Sequence, residues 1–125
     1  MLDSVQSTIK VFGDRIGCSN LELNSQGVLH LTIEGFGELF IDDKDSIFIM
    51  LLRHHDFISQ ERMLAALAMC HPFTSRAFTP HAVLQEEHLF GFAIKISRER
   101  FDISTLELGI QFLQTLQNDL QAHTE

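Results

Sequence analysis

Histidine is the residue type with which this chain could most readily do chemistry, because it occurs seven times in 125 residues and imidazole both binds metals and transfers protons near neutral pH. The run His54-His55-Asp56 could form a metal site or an acid–base pair with three further histidines, His71, His81 and His88. The spacing argues against both, since the chain has no His-x-x-x-His pair and adjacent residues at the end of a strand point to opposite faces. We therefore expect exposed turn residues and no metal.

The remaining motifs that could carry chemistry are also incomplete. Gly35-Phe36-Gly37 is not followed by a helix and a basic residue, so it predicts a hairpin turn and not a phosphate-binding loop. No Gly-x-Ser-x-Gly elbow marks a nucleophile. Cys18 and Cys70 lack metal-type spacing, and we expect both to be reduced. These patterns predict a protein that is not an enzyme and needs no cofactor; the alternative is a small α+β enzyme or ligand-binding domain with a histidine-lined pocket between helix and sheet.

Charge and hydropathy limit the classes of partner. The formal net charge of −8 would repel nucleic acid and anionic membrane surfaces, so neither is expected as a partner. The longest apolar run, residues 47–52, is much shorter than the roughly 20 residues that span a bilayer. The N-terminus has no basic stretch followed by an apolar one, so we expect a cytoplasmic protein. The length predicts one domain over residues 1–125.

The first half of the chain predicts one helix and three strands. Apolar residues recur every three or four positions from Leu2 to Ile16, which indicates a helix that Asp3 or Ser4 caps and Gly17 ends. Apolar and polar side chains alternate over residues 29–34, a second strand contains Leu39 and Ile41, and residues 47–52 are apolar on both faces. We also expect a short edge strand at Leu21-Glu22-Leu23.

The second half predicts a helix, two strands and a final helix. Ser59 could cap the first of these helices, whose apolar stripe contains Met63, Leu64, Leu67 and Ala68, and His71-Pro72 should end it. Two strands follow at residues 81–86 and 88–96. Ser104-Thr105-Leu106-Glu107 resembles a capping box ahead of the final helix. Consecutive strands with interrupting helices indicate an antiparallel sheet in the α+β class, in the order α-β-β-β-α-β-β-α.

Two stretches carry a resemblance to a known family. The stretch Leu21-Glu22-Leu23-Asn24-Ser25-Gln26-Gly27-Val28-Leu29-His30-Leu31-Thr32-Ile33-Glu34 and the amphipathic helix from Ser104 to about Gln121 resemble the class I type III secretion chaperones of Gram-negative bacteria, which include the Tir chaperone. The resemblance covers residues 2–121. The aromatic stretch Cys70–Phe78 departs from the family pattern.

The resemblance implies a bacterial homodimer that binds the N-terminal region of a secreted effector in extended form, without nucleotide. This agrees with the apolar strands and helices, which carry more apolar surface than one small sheet can cover. By resemblance, the dimer interface contains Met63, Leu67, Cys70, Val83 and Leu84. By the same resemblance, the effector binds Ile9, Phe12, Ile16, Leu31, Ile33 and Phe40. A further alternative is a heterodimeric chaperone or regulator of the secretion apparatus.

Overall fold

A computed structural model describes residues 4–71 and 77–124. The helices are α1 (Ser4–Arg15), α2 (Gln60–Met69) and α3 (Ile103–Thr124). The strands are β1 (Val28–Ile33), β2 (Gly37–Asp43), β3 (Ile47–His54), β4 (His81–Gln85) and β5 (Leu89–Ile96). This confirms the predicted α+β class and element order. The predictions for Leu2, Asp3 and Pro72 concern positions outside the described residues, as does most of the 70–78 stretch.

The five strands form one antiparallel sheet in the order β1-β2-β3-β5-β4. Ile49 at the centre of β3 lies opposite Ile41 of β2 and Ile94 of β5, so branched apolar side chains line one face across three strands. All three side chains are fully buried. The centre of the molecule is therefore the inner face of β2, β3 and β5.

Two helices close this core. Helix α3 packs on β3 and β5, and a Cβ atom added at its Gly109 would lie 2.8 Å from the Cδ1 atom of Ile94, so glycine permits the close approach of helix to sheet. Helix α1 contacts α3 and contributes its buried face, Val5, Ile9 and Phe12, to the same core. None of the described helices is both long and apolar enough to cross a membrane.

The helix termini follow local capping chemistry, with one correction. The Ser59 hydroxyl accepts a hydrogen bond from the Arg62 amide at 3.1 Å, which confirms the predicted cap of α2. Helix α3 begins earlier than predicted, because the Asp102 carboxylate accepts a 2.7 Å bond from the Thr105 amide. The prediction that residues 104–107 form the capping box was therefore wrong. The same bond holds the pKa of Asp102 below its ordinary value.

The predicted edge strand at residues 21–23 is also wrong, because this segment makes no sheet ladder. The Gln6 side chain of α1 bonds it at both ends, donating to the Leu21 carbonyl at 3.1 Å and accepting from the Leu23 amide at 3.2 Å. The side-chain amide of Gln6 therefore supplies hydrogen bonds that a neighbouring strand would otherwise supply. The outer edge of β1 is left without a neighbouring strand in the described part of the chain.

A tight turn at residues 86–88 joins β4 to β5. Glu86 and Glu87 have φ angles of 53° and 67°, in the left-handed region that few residues other than glycine adopt. The next strand contains Gly91, where an added Cβ atom would lie 2.1 Å from the Leu51 carbonyl oxygen. The buried side-chain amide of Gln117 lies beside it and donates to the Leu51 and Phe90 carbonyls at 2.9 and 3.3 Å.

Candidate interaction surfaces

Helix α2 turns its apolar stripe away from the core. Ala66 is the residue of this helix that is buried, whereas Met63, Leu64 and Leu67 are exposed, Leu67 by 58%. Exposed leucines at helical spacing on one face are typical of a helix that packs against another molecule. The sequence predicted the stripe correctly, but the stripe does not cover the sheet of its own chain.

Strand β4 extends this apolar surface at one edge of the sheet. It pairs with β5 on one side, and no described strand pairs with its other side. Helix α2 contacts β4, and Leu84 on the strand is exposed. Four of the five residues that the sequence assigns to a dimer interface thus lie on two contacting elements, and Cys70 directly follows α2. Met63, Leu67 and Leu84 are exposed, and Cys70 and Val83 are half-buried. We refer to this as the α2–β4 surface.

The six residues that the sequence assigns to effector binding do not form one surface. Ile9 and Phe12 are buried in the core, so neither side chain is accessible to a partner in this conformation. Ile16, just after α1, is exposed. Leu31 and Ile33 are half-buried on the inner face of β1. Helical periodicity identified the apolar face of α1 but not what covers it.

Phe40 lies on the opposite face of the sheet from Leu31. Its register partner is His30, and the two rings stack with centroids 4.3 Å apart. The polar side chains of Glu38 and Thr32 are on this same outer face and share a 3.1 Å hydrogen bond. Phe40 is therefore half-buried in a mixed polar and aromatic surface, apart from the apolar residues of α1.

The outer edge of β1 presents main-chain groups to solvent. The Val28 amide donates to the Asn24 side chain at 3.0 Å and the Val28 carbonyl accepts from the Asn24 amide at 2.9 Å, so both groups of Val28 point away from β2. Main-chain direction alternates along an antiparallel strand, so the amide and carbonyl groups of His30 and Thr32 point outward too. Among the described residues the outward groups of His30 and Thr32 have no hydrogen-bond partner. We refer to these groups of His30 and Thr32 as the β1 edge.

The histidines of the 54–56 run lie near one another without forming a metal site. His54, His55, Asp56 and His88 line a shallow cavity of about 430 Å³. The His55 amide donates to the His88 carbonyl at 2.8 Å, and the Nδ1 atom of the His88 ring lies 3.2 Å from the His55 carbonyl oxygen, so the two imidazole rings do not bond each other. No cluster of three or more His, Cys, Asp or Glu side chains within residues 4–71 and 77–124 is arranged to hold a metal ion. The predicted absence of a cofactor stays a prediction.

The pKa of His55 is lowered by its surroundings. Partial burial disfavours its imidazolium form and lowers its pKa below the ordinary value of 6.5. The positive charges of Arg62 and Arg53 lower the pKa further, and His54 adds a smaller effect. This arrangement favours the neutral form of the ring, and its Nε2 atom has no hydrogen-bond partner among the described residues.

Sequence reasoning missed several exposed apolar residues. Phe57, which is 79% exposed, precedes α2, and Val11 and Leu108 are exposed on α1 and α3. Leu108 sits beside the buried Leu106 and Ile110, so helical spacing alone could have placed it off the core stripe. No comparable signal was available for Phe57, because it lies in the connection between β3 and α2.

Comparison with known proteins bears directly on this architecture. A model of the Tir chaperone protein (CesT) family matches residues 7–121. No curated protein matches the chain.

Among solved structures, a chain of the heterodimeric complex ExoU-SpcU from the type III secretion system of Pseudomonas aeruginosa is similar to this one. Its TM-score is 0.63 at 16% sequence identity, and the alignment covers 90% of this chain and 93% of the other. At that identity the similarity establishes a shared fold.

Proposed function

The chain belongs to the Tir chaperone protein (CesT) family, and from this we propose that it is a homodimeric type III secretion chaperone that binds the N-terminal segment of a secreted effector in extended form. It acts in the bacterial cytoplasm without catalysis, and it keeps that segment soluble and unfolded until export. The observation that carries the proposal is that the two edge strands of the sheet, β4 and β1, are both open in the described chain. Exposed apolar residues lie on β4 and on α2, which contacts it.

The α2–β4 surface is the proposed dimer interface. An exposed leucine stripe next to an open strand is self-complementary under twofold symmetry, because each helix can pack against its copy while the rim stays polar. A stable interface of this kind would bury about 1,200–2,000 Å² in total. Burial of Leu64 and Leu67 would supply its apolar centre.

The β1 edge is the proposed site where the effector adds a strand. The outward amide and carbonyl groups of His30 and Thr32 can pair with the main chain of any extended segment. Side-chain preference would come from the half-buried apolar residues of β1 itself, Leu31 and Ile33. Main-chain pairing with few side-chain pockets suits a client that is held unfolded.

Light scattering after size-exclusion chromatography tests the dimer. We expect the wild-type protein to elute at twice the monomer mass of 14.2 kDa and Leu67→Asp to elute at the monomer mass, because an aspartate cannot be buried at an apolar interface. Leu108→Asp is the matched control, since Leu108 is also 58% exposed but lies on α3. Circular dichroism establishes that each variant is folded, and Leu64→Asp repeats the test. A monomeric wild type, or a dimeric Leu67→Asp, would contradict the interface; a mixed complex with another chaperone would favour the heterodimer.

Effector binding is tested by co-expression with the N-terminal part of a secreted protein whose gene lies next to the gene for this chain. We expect Thr32→Pro to weaken the complex about tenfold, because proline removes one outward amide without removing a β1–β2 ladder bond, and tenfold corresponds to about 1.4 kcal/mol. Thr32→Ala is the control, since it loses the hydroxyl that bonds Glu38 but keeps the amide. Equal affinity for Thr32→Pro and Thr32→Ala would exclude strand addition at this edge.

A further inference from the structure

A continuous groove runs beside the N-terminal half of α3 and reaches His81 at the start of β4, but no residue named above for the dimer interface or for the β1 edge lines it. It consists of two adjoining cavities of about 430 and 370 Å³ that share Ala77, Phe78, Arg100 and Thr105 in their walls. We refer to it as the α3 groove. Its two ends differ in chemistry.

One end of the α3 groove is apolar. Phe78 and Phe112 form its aromatic wall, with ring centroids 5.4 Å apart at an angle of 52°. Leu108 lines the same cavity and is 58% exposed. Large apolar side chains that open onto a concave surface favour a partner that inserts apolar side chains of its own.

The other end is cationic. Lys95 and Arg100 line it together with the imidazole of His81, and the neighbouring groups are hydroxyls of Ser46, Ser97, Thr79 and Thr105. No Asp or Glu is among the described residues that line either cavity. Nearby basic residues are already neutralised, since Arg98 pairs with Asp43 and Arg15 pairs with Glu107. Within the described residues, Lys95 and Arg100 have no such carboxylate partner.

We propose that the α3 groove binds a second stretch of the effector, an extended segment in which an acidic side chain neighbours a large apolar one. This proposal rests on the proposed chaperone function, and it names the chemistry of one contact between the chaperone and the effector. Charge complementarity selects the occupant: the chain has a net charge of −8, so a carboxylate is repelled from most of its surface, yet the cationic end attracts one. The phenylalanine-lined end receives the apolar side chain.

Peptide binding to the purified wild-type protein tests the groove directly. The probes are a fluorescein-labelled peptide with an Asp-Glu pair beside a Phe-Leu pair, a matched peptide with a Lys-Lys pair in place of Asp-Glu, and one with a Ser-Ser pair in place of Phe-Leu. Fluorescence anisotropy should show binding of the first peptide that weakens with added salt. We expect the other two to bind at least about tenfold more weakly, which corresponds to the loss of one charged or apolar contact.

Matched charge reversals locate the binding. Arg100→Glu should reduce affinity for the acidic peptide at least about tenfold, whereas Lys10→Glu on the exposed surface of α1 makes the same change in net charge and should leave affinity unaltered. Leu108→Ser is a second variant that keeps the charges and should weaken binding severalfold. Equal binding of the acidic and lysine peptides, equal binding by Arg100→Glu and wild type, or no binding by wild type would each overturn the proposal.

The effector complex separates this inference from the function on which it rests. If wild type and Arg100→Glu capture the effector with equal affinity while Thr32→Pro weakens capture, the α3 groove is not used and the chaperone function stands. If no variant and no wild-type protein captures any secreted protein, the chaperone function fails. The peptide series still decides the groove in that case, because it uses the chain alone.

Discussion

Replacing Gln117 by methionine removes a buried hydrogen-bond donor from the contact between α3 and the sheet. The side chain is 2% exposed, and its amide donates to the Leu51 carbonyl at 2.9 Å and to the Phe90 carbonyl at 3.3 Å. Methionine has nearly the same length and shape, so the change deletes the two bonds with little change in volume.

The expected cost follows from these contacts. A buried acceptor that loses its donor costs about 1–3 kcal/mol, and the longer bond to Phe90 belongs at the lower end of that range. Burying a thioether in place of an amide recovers about 1 kcal/mol. We therefore expect Gln117→Met to lower the free energy of unfolding by about 1–3 kcal/mol.

Urea denaturation followed by circular dichroism measures this difference, at a fixed protein concentration because dimerisation contributes to apparent stability. Gln111→Met is the control, since Gln111 is exposed on the same helix. If Gln117→Met and Gln111→Met unfold at the same urea concentration, the two hydrogen bonds contribute nothing and the reasoning is refuted.

Two further predictions concern the same half of the sheet. Gly91→Ala should destabilise the protein by about 4 kcal/mol or more or prevent folding, because the new methyl group would overlap the Leu51 carbonyl oxygen; purification of a folded, wild-type-like Gly91→Ala would contradict the packing. The pKa of His55 is lower in the folded protein than in the unfolded chain, so as the pH falls the unfolded chain is protonated first. The contribution of neutral His55 to stability is therefore complete above about pH 6.5 and is lost as the pH falls toward the folded-state pKa. His55→Gln should flatten this part of a plot of urea midpoint against pH, and an unchanged slope would show that His55 does not cause it.

Much of the fold could be predicted from the sequence where local chemistry decides it. The alternation of apolar and polar side chains over residues 29–34 predicts a strand, and Ser59 predicts a helix cap. Both features depend on nearby residues, and both are found in the structure. The prediction of a strand at residues 21–23 was wrong because Gln6, which is distant in sequence, supplies the hydrogen bonds. The cap of α3 was misplaced because Asp102 competes with Ser104 for the same role and bonds the third helical amide.

The candidate surfaces were harder to predict, because periodicity marks an apolar face without identifying its partner. Phe12 and Leu67 both lie on amphipathic helices, yet the first is buried in the core and the second faces solvent. Both helices contact α3, but α1 buries Phe12 in the core, whereas α2 buries Ala66 and leaves Leu67 facing solvent. The α3 groove needed the structure too, since Lys95 and Arg100 meet Phe78 only after β5 and α3 are placed.

The turn at Glu86 and Glu87 affects which strand of the sheet opens first. Two consecutive left-handed residues cost about 1 kcal/mol or more each, and the strand that they adjoin, β4, has five residues and one neighbouring strand. Local opening of an isolated protomer should therefore begin at β4, with amide hydrogens there exchanging for deuterium sooner than those of β3. Association with a second copy would slow that exchange, so the deuterium uptake of this hairpin reports directly on assembly.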